Sequence, residues 1–129
     1  METGLKLNVL VVDDNQINRL LLKKVMEKWG AMADFAENGL QAIEKIENNH
    51  NYDVVLMDVY MPEMGGLEAT QIIRAKSDPY FQQLPIIALT ASMLSTERGQ
   101  IDDAGMNDYI LKPFEPKNLF DKLSAYQKV

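Results

Sequence analysis

The chain has 129 residues, with 13 Lys or Arg against 19 Asp or Glu for a formal net charge of −6. That length fits one domain able to bury roughly two thirds of its unfolded surface, and the acidic balance argues against nucleic acid as a direct partner, since phosphate contacts dominate such affinity. No cysteine occurs, which excludes disulfides, thiolate metal sites and cysteine nucleophiles together and fits a cytoplasmic protein, while no apolar run is long enough for a membrane span and Met1-Glu2-Thr3-Gly4 lacks the features of a secretory signal.

Short β-rich runs alternate with helix-period segments. In chain order the pattern predicts a strand over 7–12, a helix over 15–29, a strand over 31–36, a helix over 38–49 and a strand over 53–58. A helix over 66–77, a strand over 85–90, a helix over 95–104, a strand over 107–112 and a helix over 116–127 complete it. Five βα units in strict alternation predict an α/β fold, a parallel sheet covered by helices on both faces. The first, third and fourth strands are apolar throughout, as double coverage requires. The second, Ala31-Met32-Ala33-Asp34-Phe35-Ala36, carries an acid and suits a sheet edge.

On a wheel of the first helix, Leu21, Leu22, Val25, Met26 and Trp29 share one arc and Arg19, Lys23, Lys24, Glu27 and Lys28 the other. Ile17 and Leu20 fall on or beside the polar arc. They are either ordinary exposed apolar residues or a docking patch within two turns of Asp14. The last helix has an apolar stripe of Leu119, Phe120, Leu123 and Tyr126, expected in the core, and His50 in Asn48-Asn49-His50-Asn51 reads as a solvated loop residue.

The chemistry lies where strands stop. Asp13 and Asp14 follow Leu10-Val11-Val12, Asp58 follows Val54-Val55-Leu56-Met57, Thr90 closes Pro85-Ile86-Ile87-Ala88-Leu89, and Lys112 closes Tyr109-Ile110-Leu111. Open parallel sheets present their sites at the carboxyl ends of strands. If the first and third strands are neighbours, three carboxylates converge, and two unit charges about 4 Å apart repel by roughly 4 kcal/mol at an effective dielectric near 20. A hard cation answers that repulsion. Oxygen ligands without His or Cys, in an open cluster completed by water, main-chain oxygen and phosphate, favour Mg²⁺ over a closed Ca²⁺ cage. A phosphoryl group arriving on an aspartate brings oxygens that a divalent cation, an ammonium and a hydroxyl each contact, which gives Lys112 and Thr90 their places.

The combination of Val11-Val12-Asp13-Asp14-Asn15, Leu56-Met57-Asp58-Val59-Tyr60-Met61-Pro62, Ala88-Leu89-Thr90-Ala91 and Tyr109-Ile110-Leu111-Lys112-Pro113-Phe114 resembles a response-regulator receiver domain of two-component signalling. The resemblance covers the whole chain, 1–129, as a single receiver domain. It implies the flavodoxin-like (βα)5 doubly wound fold with strand order 2-1-3-4-5. It implies Asp58 as phosphoacceptor, Mg²⁺ held by Asp14, Asp58 and the main-chain oxygen of Tyr60 with Asp13 acting through water, and Thr90 with Lys112 gripping the phosphoryl group. Tyr109 matches an aromatic switch that moves with the threonine, and Lys112-Pro113 matches a peptide bond that is cis in the family.

Asp14-Asn15-Gln16-Ile17-Asn18 and Gly105-Met106-Asn107-Asp108-Tyr109 look most like receivers carried by hybrid sensor kinases. The expected partner is a histidine kinase or histidine phosphotransfer domain, docked on Ile17, Leu20 and Leu21, and the chain is either a single-domain regulator or part of a larger hybrid kinase. Such a module catalyses its own phosphorylation and dephosphorylation and turns over no small molecule. One departure is Gly65-Gly66, where relatives commonly carry Asp-Gly. Gly65 gives up a helix cap, which bears on the rigidity of the loop after Asp58. Tyr60 and Ser92, two residues after Asp58 and Thr90, are the variable positions that tune phosphoryl lifetime.

Two other classes compete. A flavodoxin-like cofactor carrier needs a Gly or Ser/Thr loop of backbone amides after the first strand, where Asp13-Asp14 stand. A metal-dependent aspartyl phosphatase is marked by Asp-x-Asp at the first strand end, which Asp13-Asp14 does not match.

Overall fold

The structure, a computed structural model, describes residues 4–91 and 95–127. Five parallel strands, β1 (Asn8–Val12), β2 (Met32–Ala36), β3 (Val54–Asp58), β4 (Ile86–Thr90) and β5 (Asp108–Leu111), form one sheet in the order β2-β1-β3-β4-β5. The described helices are α1 (Gln16–Trp29), α2 (Gly39–Asn48), α3 (Gly66–Arg74), α4 (Pro79–Gln83), α5 (Ser95–Ala104) and α6 (Pro116–Ser124). This is the expected flavodoxin-like doubly wound fold, with β2 and its exposed Asp34 at one edge.

Side-chain alternation splits the core into two layers. Val9, Val11, Val54, Leu56, Ile87 and Leu89 point to one face, where α1 supplies Leu22, Met26 and Trp29 and α6 supplies Leu119 and Leu123. Leu10, Val12, Val55, Met57, Ile86 and Ala88 point to the other, met by Ala42 and Ile46 of α2, Ala69 and Ile73 of α3, Phe81 of α4 and Ile101 of α5. The apolar stripe of the last helix is core as expected, Phe120 meeting Trp29 edge to face at 5.2 Å.

Two expectations need correction. The helix expected over 66–77 stops at Arg74, and α4 is a separate short helix. Asp78 caps it by accepting a hydrogen bond from the Tyr80 main-chain N–H at 2.9 Å, and Pro79 occupies its first turn, where a missing N–H does no harm. Arg74 fixes the junction, donating to the carbonyls of Gly105 and Phe81 and to the Asn107 side chain. Leu21, placed by the wheel on the buried arc, is half exposed. It lies at the mouth of a groove between α1 and the chain after β5, so only part of it is covered. His50 is exposed as expected, yet its ring stacks on Tyr80 at 4.6 Å.

Candidate phosphoacceptor site

The same alternation that divides the core sorts the strand-end residues. Asp13 continues the series Val9, Val11. Asp58 continues Val54, Leu56, and Lys112 follows Ile110 by two residues, so all three share the parity of the α1 and α6 face. Thr90 continues Ile86, Ala88, and Tyr109 packs against that same opposite layer. The acceptor cluster and the threonine–tyrosine pair therefore belong to opposite parities of one sheet edge. Lys112 reaches that edge because its main-chain N–H donates to the Thr90 carbonyl at 2.8 Å. The Lys112-Pro113 peptide is cis.

Lys112 Nζ sits 3.0 Å from Asp58 Oδ2 and 3.3 Å from Asp13 Oδ2, bridging the two acids. Asp13 is 1% exposed and Asp58 7%, while Asp14 is open to solvent. One carboxylate oxygen from each of the three acids lies within 4.8 Å of the others. That spacing lets three hard oxygens surround one small cation, directly or through its water, so the donor set fits Mg²⁺. Burial pushes the Asp58 carboxyl above its ordinary value, and the Asp13 charge adds to this; the Lys112 ammonium and the Tyr60 main-chain N–H pull the other way without prevailing. Burial also works against the Lys112 charge, but here Asp58 and Asp13 together win and hold the ammonium above its usual value.

The loop after Asp58 is more firmly held than the loss of an aspartate at Gly65 implied. Gly65 caps α3 with no side-chain hydrogen bond. Main-chain bonds replace it: Gly66 N–H to the Val59 carbonyl at 2.9 Å and Gly39 N–H to the Met64 carbonyl at 2.9 Å. A Cβ at Gly66 would lie 2.2 Å from the Asp58 carbonyl oxygen, so only glycine lets α3 begin this close to the acid. Glu63 takes the left-handed conformation at φ 66 to turn this loop.

Thr90 is buried at 3% exposure. Tyr109 is half-buried, its ring 5.9 Å from the Arg98 guanidinium and 5.3 Å from Lys122 Nζ. Ser92 and Met93 lie outside the described residues. Ile17, Leu20 and Leu21 are 75%, 52% and 49% exposed, and a groove of about 270 Å³ runs from Leu21 past Leu89 to Pro113 and Phe114, with Asp13 and Lys112 at its end. Two site residues had gone unassigned. Asn18 Nδ2 donates to Asp13 Oδ2 at 3.3 Å, and Arg19 Nη1 to the Asp13 carbonyl at 2.6 Å. Their signal was spacing, since one turn past a helix cap at Asn15 returns the side chain to the strand end.

Comparison with known proteins agrees with this geometry. The response regulator receiver domain family matches residues 9–124. The signal transduction histidine-protein kinase BarA of Escherichia coli is 34% identical over 98% of this chain, which corresponds to 13% of that kinase. The chain spans 12% to 14% of the length of the first three histidine kinases it matches. The receiver domain of sensor histidine kinase PA1611 from Pseudomonas aeruginosa, whose crystal structure has a magnesium ion coordinated in the active site cleft, is 35% identical with a TM-score of 0.85, covering 94% of this chain and 97% of that one. The receiver domain of the response regulator Ssk1 of Saccharomyces cerevisiae, solved together with the histidine phosphotransfer protein Ypd1, matches with a TM-score of 0.85 at 28% identity, covering 95% and 89% of the two chains. With its sheet order, its strand-end acids and these relatives taken together, the chain belongs to the response regulator receiver domain family of two-component signalling.

Proposed function

We propose that Asp58 accepts a phosphoryl group from a phosphohistidine donor, with Asp14, Asp58 and the Tyr60 main-chain oxygen holding Mg²⁺ and Asp13 acting through its water. A carboxylate oxygen of Asp58 bonds to phosphorus as the bond from phosphorus to the histidine nitrogen breaks. The observation that carries this reading is the Lys112 ammonium, placed within 3.3 Å of both buried acids. It offsets part of their charge before transfer and offers donors to the phosphoryl oxygens during it. The Thr90 hydroxyl is the second donor. When bound, Mg²⁺ supplies charge that offsets the repulsion between the acids and the incoming oxygens.

The donor is a histidine kinase or histidine phosphotransfer domain, as the kinase relatives and the Ypd1 complex of a similar receiver support. Its helices dock on Ile17, Leu20 and Leu21, apolar anchors beside a polar rim. The whole chain acts as one receiver unit, alone or carried by a longer kinase. A cytoplasmic location goes with this reading. Among the described residues no helix is long and apolar enough to cross a membrane.

Incubation with acetyl phosphate and Mg²⁺, followed by intact mass measurement, tests the chemistry. One phosphoryl group is expected on the wild type and none on Asp58→Asn; full labelling in excess EDTA would refute the metal's role.

A further inference from the structure

Asp13 is held from more sides than a water-mediated ligand needs. Its Oδ1 accepts the Asn15 main-chain N–H at 2.9 Å, its Oδ2 accepts Asn18 Nδ2 and Lys112 Nζ, both at 3.3 Å, and its carbonyl accepts Arg19 Nη1 at 2.6 Å. Of about four acceptor positions on an ionised carboxylate, three are taken. What remains is one position on Oδ1, enough for a single water or a single contact and not for a bidentate grip on a cation.

We infer that Asn18, backed by Arg19, is a positioning residue that sets the preference of the acidic cluster for Mg²⁺ over Ca²⁺ by keeping Asp13 from a bidentate hold on the ion. The inference rests on the phosphoacceptor reading above and concerns its metal specificity. With Asp13 pinned, only Asp14 and Asp58 supply carboxylates directly, and water and main-chain oxygen fill the rest. That suits Mg²⁺, which keeps several waters and demands a near-octahedral shell, whereas Ca²⁺ gains from additional, flexible carboxylate oxygens up to about eight ligands. Loss of the Asn18 amide opens a position on Asp13 Oδ2, which Lys112 still holds, within the 4.8 Å cluster. Both Asp13 oxygens then have a position to offer the ion, which favours the larger cation.

Calorimetric titration with MgCl2 and with CaCl2, on the wild type and on Asn18→Ala, decides this. Losing such a supporting hydrogen bond weakens metal binding by about tenfold or more. The expected result is therefore a Mg²⁺ Kd raised about tenfold with the Ca²⁺ Kd unchanged or lowered, so that the ratio of the Mg²⁺ Kd to the Ca²⁺ Kd rises about tenfold. An unchanged ratio overturns the inference, whether neither Kd moves or both weaken alongside a lower Tm, as a merely structural role would have it. If Asn18→Ala does not fold, Asn18→Ser, which keeps a donor of shorter reach, is read by the same ratio. A wild type that binds neither ion contradicts the phosphoacceptor reading and this inference with it; wild-type Mg²⁺ binding with an unaltered ratio in the variant contradicts this inference alone.

Discussion

At the scale of single residues, the burial of Asp58 works against the charge of its carboxyl. Burial raises its carboxyl, so the folded chain keeps this proton to a higher pH than the unfolded chain does. The contribution of Asp58 to stability is then fully present below the unfolded carboxyl range near about pH 4 and is lost as pH rises through the folded value. Without metal at neutral pH, Asp58→Asn is therefore expected to melt at a higher temperature than the wild type, Lys112 retaining Asp13 as partner. Thermal melts in EDTA across pH check this: the gap should close below about pH 4, and a variant less stable at pH 7 would contradict the sign. Saturating Mg²⁺ should narrow or invert the gap, since a ligand at about a hundred times its Kd stabilises by about 2.7 kcal/mol. Gly66 is a second residue with no room for a larger side chain. Gly66→Ala forces a Cβ against the Asp58 carbonyl and should destabilise the fold by about 1–3 kcal/mol in urea titrations; full stability would show that the loop relaxes freely.

At the scale of elements, α1 joins the site to the exposed apolar surface proposed for donor docking. Its first turn holds Asp13 through Asn18 and Arg19, while Ile17 and Leu20 face solvent on the same turns. Ile17→Asp should slow transfer from a phosphorylated protein donor by about tenfold, equivalent to about 1.4 kcal/mol, with acetyl phosphate labelling nearly intact. Equal loss with both donors in stopped-flow and mass measurements would point to a fold defect. Sequence made most of the elements legible because strands buried on both faces read as uninterrupted apolar runs, as in β1, β3 and β4. It concealed α4. Ser77-Asp78-Pro79 holds both the cap and the proline that start that helix, but five residues are too few to show a helical period. Leu21 was misread for a related reason: a wheel reports direction, and at the open end of a layer an inward-pointing residue meets a groove. The strand-end acids were legible because they interrupt apolar runs. Asn18 and Arg19 were not, since a polar residue on an amphipathic helix carries no mark of what it holds.

At the scale of the whole molecule, the sheet connects two surfaces through one strand edge. In the proposed chemistry a phosphoryl group on Asp58 would offer the Thr90 hydroxyl a new acceptor, and Tyr109, on the same parity as Thr90, would follow it, biasing the face of α5, β5 and α6 between two states. In NMR spectra with a beryllofluoride phosphoryl mimic, the wild type should shift across that face, and Thr90→Ala should lose most of the change at Tyr109. Identical responses would show that the threonine does not carry the switch.

The proposed chemistry requires the phosphoryl group to reach Asp58. After labelling with acetyl phosphate and Mg²⁺, borohydride reduction converts a phosphoaspartate to homoserine, which peptide mass spectrometry then locates. The account predicts homoserine at position 58 alone. Homoserine at position 13 or 14, or undiminished labelling elsewhere in Asp58→Asn, would contradict it.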